Sequence, residues 1–83
     1  MKKEVYDSER SEGTVSWFNN DRGYGFINPY IDAGEVDKEI EYFVHYSNIK
    51  MKGYKTLSEN QKVSFELLNT DKGVQAVEVE VEE

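Results

Sequence analysis

The chain has no cysteine and only one histidine, His45. Without cysteine there is neither a disulfide framework nor a thiolate that could act as metal ligand or nucleophile. Ser47 follows His45 by two residues, which does not make a catalytic triad, and no convincing second catalytic partner for His45 stands in the sequence. The sequence therefore predicts no enzymatic activity, no metal site and no cofactor.

Long apolar runs are also missing. No stretch approaches the length of a membrane span, and the opening Met-Lys-Lys-Glu-Val-Tyr-Asp has no apolar core like that of a signal peptide. We therefore expect a cytoplasmic protein with no membrane contact. Its 83 residues make at most one domain, which buries roughly 60–65% of the unfolded surface. So small a core provides little stability, so aromatic side chains that are exposed rather than buried indicate a function.

Positive charge is scarce, since the formal net charge is −7. Proteins that bind nucleic acid usually carry a basic surface. Most of the acids, however, lie in residues 1–12, 32–41 and 78–83, and the rest of the chain holds six bases against four acids. The composition therefore does not exclude an anionic ligand, but it predicts few phosphate contacts.

Short alternating segments between turn residues predict an all-β domain of five strands. The predicted strands cover residues 13–19, 24–28, 40–45, 62–68 and 75–81, with a 3₁₀ turn at 46–49 and hairpin turns at 19–23 and 71–73. Pro29 is expected to end the second strand because it has no N–H to donate, which leaves residues 29–41 as a long acidic connection. Five short strands fit a closed barrel better than an open sheet, whose edges would be exposed. The residues assigned to its core include Tyr42, Val63, Phe65, Leu67, Val77, Val79 and Val81.

Residues 17–27, Trp-Phe-Asn-Asn-Asp-Arg-Gly-Tyr-Gly-Phe-Ile, concentrate four rings and one arginine. Tyr24 and Phe26 fall on one side of an extended strand, opposite Ile27. If the second and third strands pair antiparallel, Phe26 and Phe43 meet in a flat aromatic platform that Trp17 joins. Rings beside basic residues are what unstacked bases bind. The alternative, that the rings fill the core, is disfavoured by their phase against Ile27 and Val44.

Three segments together resemble the cold-shock domain. Residues 13–19, Gly-Thr-Val-Ser-Trp-Phe-Asn, are similar to its opening strand. Residues 22–27, Arg-Gly-Tyr-Gly-Phe-Ile, resemble its first ribonucleoprotein motif, and residues 42–46, Tyr-Phe-Val-His-Tyr, resemble its second. The resemblance covers about residues 12–79, and the two motifs in this order are highly specific.

This resemblance implies a five-stranded antiparallel Greek-key barrel, the OB-fold, over residues 12–81. Residues 1–11 are mostly charged and polar, and we expect them to form a flexible lead-in. It implies binding of single-stranded RNA and DNA with a mild preference for pyrimidines, and RNA-chaperone activity. We expect the protein to be a monomer or weak dimer. The positions that match the nucleic-acid-binding residues of the family are Trp17, Phe18, Asn19, Arg22, Tyr24, Phe26, Phe43, His45, Tyr46, Tyr54, Lys55 and Gln75.

The chain departs from the family pattern in charge. Thr14 and Ser16 stand where lysine is common, and the connection 28–41 is longer and acidic. The sequence leaves two roles open for Lys50, Lys52 and Lys55. They either approach the phosphates of a bound strand or are ordinary solvated surface charges. The negative charge also motivates an alternative function, an OB-fold module that binds protein or sugar and has lost nucleic-acid affinity.

Overall fold

The structure is a computed structural model that describes residues 10–32 and 34–82. Its strands are β1 (Ser11–Asn19), β2 (Tyr24–Asp32), β3 (Glu35–Val36), β4 (Tyr42–His45), β5 (Lys62–Thr70) and β6 (Gly73–Val81). A 3₁₀ turn spans Tyr46–Asn48, as expected. Residues 1–9 of the expected lead-in lie outside the described residues, while Ser11 belongs to β1, so the domain boundary stays a prediction.

Five of the strands close into a barrel, which confirms the predicted fold class. The pairing runs β1-β5-β6-β4-β2, and β1 also pairs with β2, so the sheet returns to its first strand. Four of these pairings are antiparallel, and β4 pairs with β6 in parallel. The short sixth strand, β3, pairs with β2 and lies outside this closed ring of strands.

The prediction that Pro29 ends β2 is wrong. The strand continues to Asp32, and Pro29 lies opposite Gly13 of β1. Proline lacks only the N–H, and the Pro29 carbonyl accepts a hydrogen bond of 2.8 Å from the Asp37 N–H. The predicted connection 29–41 is therefore partly ordered as the end of β2 and as β3.

The barrel interior is filled by one apolar cluster. Phe65 and Val63 are fully buried, as predicted, and Tyr42 packs against Phe65 with ring centroids 6.1 Å apart. Each such side chain contributes about 1.5–3 kcal/mol when it is buried. The cluster consists of Val15, Ile27, Val44, Ile49, Leu57, Val63, Phe65, Ala76 and Val79, with Leu67 and Val81 packed against it.

A bulge in β6 explains why Ala76 belongs to this core although the sequence did not indicate it. Val77 pairs with Glu66, whereas Glu80 pairs with Ser64, so β6 holds one extra residue in this interval. Glu78 there has φ of +52°. Because the bulge changes the alternation, Ala76 is buried in addition to the predicted Val77.

Arg10 fastens the beginning of the chain's described part to this bulge. Its guanidinium donates hydrogen bonds to the Ser64 carbonyl at 2.9 Å and to the Glu78 carbonyl, and it lies 3.5 Å from a Glu66 carboxylate oxygen. Charge-assisted hydrogen bonds of this kind contribute more than neutral ones. Arg10 therefore links β1, β5 and β6 on one side of the barrel.

Candidate nucleic-acid interface

A second bulge, in β1, decides which way Trp17 points. Val15 pairs with Ile27 and Trp17 pairs with Phe26, so Ser16 is an extra residue on β1. In a regular strand, residues two apart share a face. Here Val15 is 1% exposed and Trp17 is 37% exposed. The bulge thus turns Trp17 outward while Val15 stays in the core.

Four rings meet on the outer face of β1, β2 and β4. The predicted neighbours Phe26 and Phe43 are paired in register. The Trp17 ring centroid lies 5.3 Å from that of Phe26 and 5.8 Å from that of Tyr24, and the Phe43 centroid lies 5.7 Å from that of Tyr24. We call Trp17, Tyr24, Phe26 and Phe43 the aromatic platform. The expected flatness is wrong, because the interplanar angles of these pairs range from 30° to 75°.

Beneath the platform rings, the backbones of β1 and β2 approach each other closely. Ile27 and Val44 are 0% exposed beneath the rings. A Cβ at Gly25 would collide with the Trp17 carbonyl oxygen and with Phe18. Glycine at this position therefore lets the two backbones approach closely enough for the outer rings to touch.

Gly23 joins the two sequence motifs. It has φ of +79°, which favours glycine. Its N–H donates to the Asn19 carbonyl at 2.7 Å, and its carbonyl accepts from the Tyr46 N–H at 2.8 Å. A side chain there would also run into the Tyr46 ring. The turn after β1 is thereby fixed to the 3₁₀ turn after β4.

His45 lies at the boundary between β4 and the 3₁₀ turn. Its Nδ1 accepts the Ser47 backbone N–H at 3.3 Å and lies 2.9 Å from Ser47 Oγ. Its ring is tilted against that of Tyr46, with centroids 4.6 Å apart. Tyr24 is its register partner on β2. The His45 and Tyr46 rings therefore continue the line of aromatic side chains beyond the platform.

A cleft of about 480 Å³ follows at this end of the platform. Arg22, Tyr46, Tyr54 and Lys55 line it, so two cations and two rings of the predicted site meet there. Tyr54 is 71% exposed, and its hydroxyl donates to the Asn20 carbonyl at 3.1 Å. Asp21 also lines the cleft, so two cations and one carboxylate lie beside exposed rings.

Asn20 is a structural residue of the site that sequence reasoning missed. Its backbone carbonyl accepts from Tyr54, and its side-chain oxygen accepts from the Thr56 hydroxyl. These bonds fix the loop of residues 50–56 against the turn after β1. The only sequence signal was that Asn favours turns, which does not reveal a contact with a residue so distant along the chain.

Three further residues of the predicted site lie outside both the platform and the cleft. Phe18 packs against the core, and Asn19 accepts the Arg22 N–H through its side-chain oxygen at 2.9 Å. Gln75 of β6 lies opposite Phe43 of β4, at the far border of the platform. Phe18 therefore lies behind the site, Asn19 holds the turn beside it, and Gln75 borders it.

The charges around the platform are unevenly distributed. Lys50 lies 3.4 Å from Glu78 and 3.6 Å from Glu80, so acidic partners on β6 engage it. On the opposite border, the Ser16 hydroxyl donates to the Glu41 carboxylate at 3.3 Å. The platform therefore has two cations and one carboxylate at the cleft, and a further carboxylate at the other end.

A larger cleft, of about 820 Å³, lies away from this surface. It is bounded by the β2–β3 hairpin and by Arg10, Tyr30 and Lys62, with the Lys62 ammonium 5.8 Å from the centre of the Tyr30 ring. None of the predicted site residues lines it. This cleft and the exposed rings of the platform therefore lie in different parts of the surface.

Within residues 10–32 and 34–82, no three or more His, Cys, Asp or Glu side chains come together as a group that could hold a metal ion. The same residues include no helix that is long and apolar enough to cross a membrane.

Comparison with known proteins identifies the family to which this chain belongs. The sequence model of the 'Cold-shock' DNA-binding domain matches residues 11–82. The chain is 47% identical over 74 residues to the major cold shock protein CspA of Pseudomonas aeruginosa, covering 89% of this chain and 97% of that protein. It is also 47% identical over 68 residues to the cold shock protein CspA of Staphylococcus saprophyticus, covering 82% of this chain and 92% of the relative. The chain belongs to the cold-shock domain family.

Proposed function

We propose that this member of a nucleic-acid-binding family binds single-stranded RNA and DNA by stacking bases on the aromatic platform. The observation that carries the proposal is the outward position of four touching rings above the fully buried Ile27 and Val44. The fold does not need these rings, because other side chains fill the core. Unpaired bases offer the flat apolar faces that such rings bind.

Stacking supplies enough free energy for useful affinity. Each stacked base contributes about 1–3 kcal/mol, so three bases contribute about 3–9 kcal/mol. A dissociation constant of 1 μM corresponds to about 8 kcal/mol. The rings alone therefore bring the affinity toward the micromolar range, and every base has a face that can stack.

Charge makes the smaller contribution. Arg22 and Lys55 lie at the cleft, while Lys50 is engaged by acids. With two or three phosphate contacts, the slope of log K against log salt concentration is about −1.4 to −2.1 for a single strand. Binding is therefore only mildly sensitive to salt, in keeping with the net charge of −7.

The biological activity that follows is that of an RNA chaperone in the cytoplasm. A protein that binds unpaired strands better than paired ones shifts RNA toward the unpaired state, and this needs no ATP. We expect pyrimidine-rich strands to be preferred and the protein to act as a monomer or weak dimer.

The test is a titration of the protein with short oligo-dT while the fluorescence of Trp17 is followed. Trp17 is the single tryptophan of the chain and lies in the platform, so a stacked base is expected to quench it. A duplex of the same length serves as control and is expected to quench much less. No quenching at protein concentrations on the order of tens of micromolar would overturn the proposal and favour the protein- or sugar-binding alternative.

A further inference from the structure

We infer that His45 is held in one neutral tautomer and donates a hydrogen bond from Nε2 to an acceptor oxygen of the bound strand. This inference rests on the proposed function. It gives His45 a role that stacking alone does not provide, because a donor at a fixed position distinguishes between nucleotide groups.

The hydrogen bonds of Nδ1 determine the tautomer. A backbone N–H can only donate, and the Ser47 N–H points at Nδ1 at 3.3 Å. Nδ1 is therefore an acceptor without a proton, and the Ser47 hydroxyl at 2.9 Å is free to donate to it as well. A neutral imidazole that has no proton on Nδ1 carries it on Nε2.

The surroundings of the ring leave Nε2 available. Among the hydrogen bonds within residues 10–32 and 34–82, none involves His45 Nε2. Within the same residues, no buried side-chain nitrogen or oxygen lacks a partner, so Nε2 is accessible to solvent. The ring has little freedom to turn away, because Ser47 holds Nδ1 and the Tyr46 ring lies 4.6 Å from it.

Tyr46 is itself fixed, which makes the position of Nε2 well defined. Its N–H is bound by the Gly23 carbonyl at 2.8 Å, and Gly23 leaves room for its ring. Both motifs of the site thus contribute to the orientation of His45. A rigid donor loses less conformational entropy on binding than a freely rotating one.

The chemistry of the acceptor follows from the donor. An N–H group pairs with the carbonyl oxygens of thymine or uracil and with phosphate oxygens, but not with the exocyclic amino groups of cytosine or adenine. Acceptor oxygens on the base and on the phosphate share this chemistry. A contact at base position 4 would favour thymine and uracil, which carry a carbonyl oxygen there, over cytosine, which carries an amino group. A phosphate contact would instead fix the strand's path.

The test compares the wild-type protein with His45→Phe. Phenylalanine keeps a ring for stacking but removes the donor. One hydrogen bond contributes about 0.5–1.5 kcal/mol, so we expect oligo-dT to bind about two- to tenfold more weakly. Tyr30→Phe is the matched control, because it removes a polar group from a ring that lies outside the platform and outside the cleft beside it; its affinity is expected to stay unchanged. Thermal unfolding verifies that both variants are folded.

The source of the acceptor is identified with a strand of difluorotoluene nucleotides, which have the shape of thymidine without its hydrogen-bonding oxygens. A His45→Phe penalty that disappears on this strand assigns the acceptor to the base carbonyl. A penalty that persists assigns it to the backbone. Equal binding of oligo-dT by His45→Phe and wild type would overturn the inference.

A second measurement tests the tautomer without any ligand. Long-range proton–nitrogen correlation spectra at about pH 8, where imidazole side chains are ordinarily neutral, are expected to show the proton on Nε2. A proton on Nδ1 would overturn the inference. Wild-type protein that binds no oligo-dT would refute the proposed function, whereas binding that His45→Phe leaves unchanged would refute only the role of His45.

Discussion

The outer face of β1, β2 and β4 and the outer face of β5 and β6 belong to the same barrel but present different chemistry. On the first face, the platform rings contact one another and solvent. On the second face, charged side chains contact partners: Arg10 lies against Glu66, and Lys50 lies against Glu78 and Glu80. The inner side of both faces is the same apolar core.

This difference separates the requirements of the fold from those of binding. A closed barrel requires only that its inward side chains pack, and it leaves the outward ones free for function. The acidic side chains of β5 and β6 form ion pairs with cations of the same protein. The platform rings remain partly exposed, and the proposed binding of bases uses this exposed surface.

The largest contrast is expected between an inward and an outward phenylalanine. Phe65 is 0% exposed, so Phe65→Ala leaves a cavity and lowers the free energy of unfolding by about 3–5 kcal/mol. A domain of this size has little more stability than that. We therefore expect urea denaturation to show a largely unfolded variant. A stable Phe65→Ala protein would contradict the assignment of β5's inner side to the core.

Binding is expected to show the opposite pattern. Phe26→Ala and Phe43→Ala each remove a stacking surface, so affinity for oligo-dT should fall about 5- to 150-fold, which corresponds to 1–3 kcal/mol. Their free energy of unfolding should fall by about 1–3 kcal/mol, less than for Phe65→Ala, since each variant loses two ring pairs. Ile31→Ala is the control, because Ile31 is 59% exposed on β2 but outside the platform. If either ring variant unfolds, the two faces do not differ as described.

The smallest expected effect concerns salt. Arg22→Ala and Lys55→Ala should each reduce the salt slope of oligo-dT binding by about 0.7, if each cation contacts one phosphate. Lys50→Ala is the matched control and should leave the slope unchanged, because Lys50 is engaged by Glu78 and Glu80. Measuring affinity across a series of salt concentrations checks this. A wild-type slope far steeper than −2.1 would show that charge, rather than stacking, dominates.

The sequence predicted the barrel and the two halves of the platform because both depend on local alternation and on recognisable motifs. Phe26 and Phe43 could be placed together since antiparallel pairing of two motifs leaves few registers. The outward position of Trp17 could not be derived in this way. Alternation alone puts it on the face of Val15, and only the bulge at Ser16 reverses this.

The features that sequence reasoning missed arise from contacts between distant residues. Asn20 reads as a turn residue, but it binds Tyr54 and Thr56. Pro29 reads as the end of a strand, but its carbonyl still has a partner in Asp37. In each case the residue keeps its local preference, but its hydrogen-bond partner lies elsewhere in the chain and cannot be identified from the local sequence pattern.

The hydrogen bond between Gly23 and Tyr46 has a consequence for how this fold tolerates change. It sets the distance between the two motifs directly, so the connection from β2 to β4 does not have to hold them in place. Doubling the length of a flexible connection costs only about 0.6 kcal/mol. A change in the length of the connection between the two motifs is therefore expected to cost little stability and to leave the spacing of the platform rings unchanged.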